Sequence, residues 1–254
     1  MSSRSRGLLA RLLEPGALSV VYQPIFELTE HETRLFGLEC LARGPAGTPV
    51  EDAEALFAFV RAKHAELAMD RTCLTSMLRA ARELPSACSI AVNVHGVSIG
   101  RDPEFVVFLA DAADLNAIAL SRVVVEIVGQ PPSWYARSFA NTVEGLKAIG
   151  IRVAVDVGGA DLGYRAILDC RPDYLKLDRY LVAGLHADYM RQAVVDSVAR
   201  LARGLAARVV AEGVEDVRDL RALRTAGIEL VQGNLLSAAA PPERLAENDL
   251  VDCR

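Results

Sequence analysis

Short apolar runs of strand length alternate with longer segments of helical period along this chain. The strand candidates are "LSVVYQP" (18–24), "TRLFGLECL" (33–41), "CSIAVNV" (88–94), "RVVVEIV" (122–128), "IRVAVDV" (151–157), "DYLKLD" (173–178), "ARVVAEG" (207–213) and "GIELVQG" (227–233). Between them, helical spacing of apolar residues predicts helices over 53–84, 102–115, 136–150, 190–206 and 214–227. Strand and helix in alternation argue for a largely parallel sheet with crossover helices. Only "ELTEHE" joins the first two strands, too little chain for a crossover, so that pair is expected to be antiparallel. About eight strands in one domain of this length predict a closed α/β barrel of the TIM type, (β/α)8, with an antiparallel first strand. An open doubly wound sheet is the alternative. No linker interrupts the pattern, so residues 1–254 read as one domain, with a short amphipathic helix over 1–16 and a barrel core over 17–245. In that helix Leu8, Leu9, Leu12 and Leu13 share a side and Pro15–Gly16 end it.

The polar residues fall where a barrel carries its chemistry. Glu39, Asn93, Glu126, Asp156, Lys176, Glu212 and Gln232 each stand toward the C-terminal end of a strand candidate. Taken singly, any of them reads first as a turn or cap residue; their recurrence on one rim favours a site. Parity sharpens this for the fifth strand. Ile151, Val153 and Val155 share one face and should pack on helices, while Ala154 and Asp156 share the other, which puts Asp156 at the barrel mouth and Val157 back on the outside. Glu39, Asn93, Glu126 and Asp156 offer only oxygen, a donor set suited to Mg²⁺ or Mn²⁺ and not to zinc. Lys176 could stabilise phosphoryl charge, Glu212 could accept a proton and Gln232 could orient a nucleophile. Together they describe metal-assisted phosphodiester hydrolysis.

Composition bounds the partners. The chain of 254 residues carries a formal net charge of -5, which weighs against coating duplex DNA but leaves room for a small phosphorylated ligand. No apolar run is long enough to span a membrane. The five cysteines fit no zinc spacing and read as reduced thiols of a cytoplasmic protein. The four histidines are scattered, and His95, the one near the supposed site, reads as a loop residue. Trp134 and Tyr135 read as local packing, and the last twelve residues as a terminal helix with a frayed acidic end.

At these residues the chain resembles the EAL family, the cyclic di-GMP phosphodiesterases of bacterial signalling, from about Leu18 to Leu245. "YQPIFEL" resembles the family's opening strand, and "GLECLARG" stands where the name-giving Glu-Ala-Leu is followed by Leu-Arg. "AVNV", "VVVEIV", "PDYLKLDRYLV", "VVAEGVED" and "VQGNLLSAAAPP" resemble the later motifs in order and spacing. The resemblance implies that Glu39, Asn93, Glu126 and Asp156 hold the first metal. It implies that Lys176 and Glu212 act on the attacking water and that Gln232 orients it. Gln23 and Arg43 match contacts to the dinucleotide, and Asp178 and Glu215 match further acidic positions near the site.

The departures from the family pattern cluster after the fifth strand. The family has two consecutive aspartates there; this chain has Asp156–Val157, and one residue is deleted in the turn that follows. Counting from Gly150 puts Asp156 at the first aspartate, counting back from Lys176 puts it at the second, and strand parity favours the first. Either way one acid of the pair is gone, so one metal site is expected and the second is weak or absent. Gly129 replaces a Glu, Cys40 an Ala, Gly44 a common Trp and His95 a common Ser. The implied function is a cyclic di-GMP phosphodiesterase with impaired turnover. The alternative is a domain without catalysis that binds the nucleotide or a partner protein, as a homodimer or in a signalling complex. A dinucleotide-dependent oxidoreductase is a distant third: "GGADLG" follows a strand with Asp178 downstream, but Ala160 fills the position of the middle glycine.

Overall fold

Eight strands close into a single barrel in sequential order, which excludes the open-sheet alternative. The computed structural model describes residues 3–29, 32–129, 137–157 and 164–245, the side chains of 3–6, 164–166 and 242 excepted. Trp134, Tyr135, the glycine-containing turn 158–163 and residues 246–254 lie outside them. The strands are β1 (Ser19–Leu28), β2 (Thr33–Arg43), β3 (Ser89–His95), β4 (Val123–Val128), β5 (Arg152–Val157), β6 (Tyr174–Leu177), β7 (Arg208–Ala211) and β8 (Leu230–Val231). The helices are α1 (Ser3–Leu12), α2 (Ala53–Arg61), α3 (Glu66–Ala80), α4 (Gly96–Arg101), α5 (Phe105–Leu115), α6 (Arg137–Ala148), α7 (Tyr164–Cys170), α8 (Arg179–Val182), α9 (Tyr189–Gly204) and α10 (Val217–Thr225).

β1 runs antiparallel to β2, as the short connection requires, and antiparallel to β8; every other pairing is parallel. β1 continues through Pro24, whose missing N–H is tolerated beside a register shift between Ile25 and Phe26. The helical pattern over 53–84 is two helices, not one. His64, with φ of 53°, turns the chain in the left-handed region between α2 and α3. β8 is much shorter than its apolar run suggests, only two residues.

Side chains alternate between two cores. The outer one lies between barrel and helices and takes Val153 and Val155, with Val157 packed against it. The inner one is Ile25, Ala91, Val124, Ala154, Tyr174, Val210 and Leu230, joined by Phe36. Ala154 on the inner side and Val157 on the outer side are the parity predicted for β5. The N-terminal mouth is plugged. Phe36 meets Tyr174 edge to face at 5.9 Å, Arg152 donates to the Tyr174 hydroxyl at 2.7 Å, and Arg208 pairs with Glu27 and, at 3.2 Å, with Glu229. Among the cysteines, Cys40, Cys73 and Cys170 are buried free thiols. Cys88 is disulfide-bonded, which corrects the reading of five reduced thiols. No helix of the described residues is long and apolar enough to cross a membrane.

Candidate functional site

Barrel register brings the rim residues together. Gln23 pairs with Glu39 across β1 and β2, Asn93 with Glu126 across β3 and β4, and Asp156 with Lys176 across β5 and β6. Glu212 and Gln232 stand one residue beyond the ends of β7 and β8. Asn93, Glu126, Asp156, Lys176, Glu212 and Gln232 point into the same space because each shares strand parity with an inner-core residue two positions before it, as Asp156 does with Ala154, and Glu39 joins them beyond the register shift in the β1–β2 pair.

At the centre is the Lys176 ammonium, 2% exposed. It contacts Glu126 and Glu212 closely and Glu39 at 3.2 Å. Asn93 Nδ2 donates to Glu39 Oε1 at 2.8 Å. Gln232 Nε2 donates to Glu39 Oε2 at 2.7 Å and to Gln23 Oε1 at 2.9 Å. Glu39, Glu126 and Glu212 each offer an oxygen within 4.8 Å of the others. Glu212, expected as a proton acceptor, is thus part of the tightest carboxylate group, with Asp156 and Asn93 beside it.

Charge does not balance here. Four carboxylates surround one ammonium, and burial penalises every one of them. Burial would raise the Glu39 pKa, but Lys176 and the hydrogen bonds from Asn93 and Gln232 outweigh it and hold this carboxyl below its ordinary range. Glu126 is pushed well above its ordinary value, by burial first and then by Glu39, Asp156 and Glu212, against the pull of Lys176. Asp156 is raised by burial and by Glu39, and a hydrogen bond with Glu126 offsets part of the rise. Glu212 is raised to about 7, again by burial first. Lys176 is held well above its ordinary value because Glu126, Glu212 and Glu39 outweigh its own burial. A site of this kind holds either extra protons or a further cation. The donor set fits a hard divalent ion: all oxygen, net negative, with one buried acceptor, Gln232 Oε1, that has no hydrogen-bond partner among the described residues.

The remaining predicted residues are placed differently. The Asp178 carboxylate caps α8 by accepting from the Leu181 N–H at 3.1 Å. Glu215 is salt-bridged to Arg179 at 2.9 Å. Arg43 donates to the Ala42 carbonyl at 3.0 Å and is half-buried at the rim. Val157, turned to the outer core, offers nothing to a cation. His95 is not a loop residue: it ends β3, is 4% exposed, and Asp70 on α3 accepts from its backbone N–H at 2.9 Å and holds its Nδ1 at 2.8 Å. The sequence carried no signal for this partnership, because Asp70 lies 25 positions earlier on a different element. Gly44 has a steric reason. A Cβ there would meet the Val50 carbonyl oxygen at 1.9 Å, so the 45–51 segment occupies the space a larger residue would need.

The comparisons with known proteins agree with this geometry. The antirepressor BluF of Escherichia coli, described as regulated by blue light and temperature, is 30% identical over 151 residues, 59% of this chain and 38% of BluF. NbdA of Pseudomonas aeruginosa, named a cyclic di-GMP phosphodiesterase, is 27% identical over 247 residues, 94% of this chain and 31% of NbdA. The chain spans about a third of the length of such curated relatives. The structure of Klebsiella pneumoniae BlrP1, a complex with calcium and cyclic di-GMP, superimposes with a TM-score of 0.78 at 26% identity, over 94% of this chain and 63% of BlrP1. The family model described as EAL domain matches residues 7–239, most of the chain. By that match and by its sequential barrel, this chain belongs to the EAL domain family.

Proposed function

We propose that this domain binds cyclic di-GMP and opens it slowly to the linear dinucleotide with the help of one divalent cation, Mg²⁺ or Mn²⁺. The observation that carries the reading is the imbalance of four carboxylates around Lys176, Glu39 and Glu126 buried and Asp156 and Glu212 half-buried. Glu39, Asn93, Glu126 and Asp156 would hold the cation, with Glu212 close enough to share it. When bound, the ion supplies Lewis-acid charge at the phosphoryl oxygens and the attacking water. Lys176 keeps its proton at neutral pH and offsets negative charge developing on phosphorus. Glu212, with a pKa of about 7, is poised to take a proton from water. Gln232 presents Oε1 as an acceptor that fixes the orientation of that water. Gln23 and Arg43 at the rim suit contacts to the nucleotide, with Asp178 and Glu215 beyond them as bounding acids.

Val157 favours a second reading on the same fold: with only one acid left after β5, the domain binds the nucleotide or a partner protein, including a second copy, without turnover. BluF, an antirepressor, is a relative whose name fits binding without hydrolysis. In both readings residues 1–254 act as one barrel domain in the cytoplasm. The test is incubation with cyclic di-GMP and Mg²⁺ or Mn²⁺, following the linear product by chromatography. We expect slow product that Lys176→Ala abolishes. Product that survives Lys176→Ala would sink the hydrolytic reading; no product together with tight nucleotide binding would establish the second.

A further inference from the structure

On the outside of the barrel, a pocket of about 200 Å³ lies between the turn that joins α1 to β1 and one face of α3. None of its lining residues belongs to the acid cluster. Both walls are anchored. Leu12 at the end of α1 and Leu18 before β1 are buried in the outer core. Between them the Ala17 N–H donates to the Glu14 carbonyl at 3.1 Å, closing the turn that brings Leu13 and Pro15 to the pocket. Opposite, Arg71, Thr75 and Arg79 recur every four residues along α3, with Thr72 and Ser76 beside them, so one stripe of the helix faces the turn.

The stripe offers donors. Asp102 accepts from Nε and Nη2 of Arg71 at 2.8 and 2.9 Å, and the guanidinium lies over the Phe108 ring at 4.7 Å. That grip leaves Nη1 of Arg71 without a partner among the described residues. Asp102 offsets the charge of Arg71, so the net positive charge comes from Arg79, which is exposed and has no ion pair among the described residues. Thr72 and Thr75 donate their hydroxyls back to the carbonyls of Ala68 and Arg71 at 3.0 and 2.8 Å, the ordinary fate of a hydroxyl inside a helix. Ser76 does not follow them. It is 7% exposed, yet its hydroxyl has no hydrogen-bond partner among the described residues. The unpartnered hydroxyls of Tyr22 and Ser98 are sealed in, whereas Ser76 lines an open pocket. A buried donor left unmet is costly, and an acceptor that enters the pocket removes the cost. Among the described residues no carboxylate lines the pocket to compete for these donors.

We infer that this pocket binds the phosphate of a small phosphomonoester. Two guanidinium groups and a buried hydroxyl stand around one cavity, a donor set that suits the three oxygens of a phosphate dianion better than the two of a carboxylate. The cavity is larger than a phosphate group fills, and Leu13 and Pro15 give the rest of the ligand apolar cover. The site shares no residue with the rim and stands whether or not the proposed function does.

The test is calorimetric titration with phenyl phosphate, inorganic phosphate and benzoate, without divalent cations and at matched ionic strength. The proteins are wild type, Ser76→Ala, Arg79→Gln and Arg82→Gln. Arg82 is an exposed arginine just past the end of α3 that does not line the pocket, so its variant reports diffuse charge alone. Thermal unfolding without ligand checks that each variant is folded. We expect phenyl phosphate to bind tighter than inorganic phosphate and roughly tenfold tighter than benzoate. Ser76→Ala should weaken phenyl phosphate severalfold and Arg79→Gln roughly tenfold, as for the loss of one neutral and one charged donor. Arg82→Gln should bind as wild type does. Equal losses in Arg79→Gln and Arg82→Gln would reduce the effect to diffuse charge and overturn the inference. Benzoate binding as tight as phenyl phosphate, affinity indifferent to Ser76→Ala, or no binding of either phosphate would overturn it as well.

Discussion

The two mouths of the barrel are built from the same strands and solve opposite problems. At the N-terminal mouth Arg208 pairs with both Glu27 and Glu229, while Arg152 sits on Tyr174. Charge is matched, aromatic rings fill the bore, and half-exposed partners stay near water. At the C-terminal mouth four carboxylates share one ammonium, and most of the group is buried. Polarity alone does not distinguish the two ends. The difference lies in balance: the closed end is neutralised within itself, and the working end is left needing charge from outside.

The largest way to break that contrast is to remove the one internal cation. Lys176→Met leaves the carboxylates unopposed, and we expect a loss of about 3 kcal/mol in urea unfolding at pH 8. The loss should shrink near pH 5. Glu126, Asp156 and Glu212 have raised pKa values, so the folded state takes up their protons before the unfolded state does. Their contribution to stability is therefore present at low pH and fades as pH rises from the ordinary carboxyl range through about 7, the Glu212 value. An equal loss at both pH values would show that the lysine acts by packing and not by charge.

A smaller effect comes from supplying the missing charge. Mn²⁺ at a hundredfold excess over its Kd should raise Tm by roughly 5–10 °C. At that Mn²⁺ concentration held fixed, the increment should grow as pH rises through about 7, the Glu212 value, as protons leave the site. Differential scanning calorimetry of wild type and Glu39→Ala checks it, and an unchanged increment in Glu39→Ala would place the ion elsewhere. The smallest effect belongs to the closed end. Arg208→Ala removes two partly exposed pairs and should cost about 1 kcal/mol or less, with Mn²⁺ and nucleotide affinities untouched. A change in either affinity would mean that the two mouths communicate through the inner core.

Much of this was legible in the residues. Alternation gave the barrel, a six-residue connection gave the antiparallel start, and the parity of Ala154, Asp156 and Val157 gave their faces. Polar residues at strand ends pointed to the rim because a parallel barrel has only one face for them. What stayed hidden depends on long-range packing. Nothing local to His95 announces Asp70, and nothing in an apolar run says that only two residues of β8 will pair. The break at His64 was hidden by a periodicity that runs on through it. The local partners of Asp178 and Glu215 were hidden too: one caps α8 and the other is tied to Arg179. The stripe of Arg71, Thr75 and Arg79 was readable by spacing, but only the fold reveals that it faces a pocket.

The brevity of β8 has a consequence for how the barrel is sewn shut. Two register pairs join β8 to β1, and two join it to β7. A second stitch lies further along the chain, where Tyr22 and Ala240 exchange both backbone hydrogen bonds at 2.8 and 2.9 Å. The family match ends at residue 239, one position short of that stitch. A domain cut at the edge of the family match would unlace its own seam next to Gln23 and Gln232, so the structural boundary has to be drawn beyond Ala240.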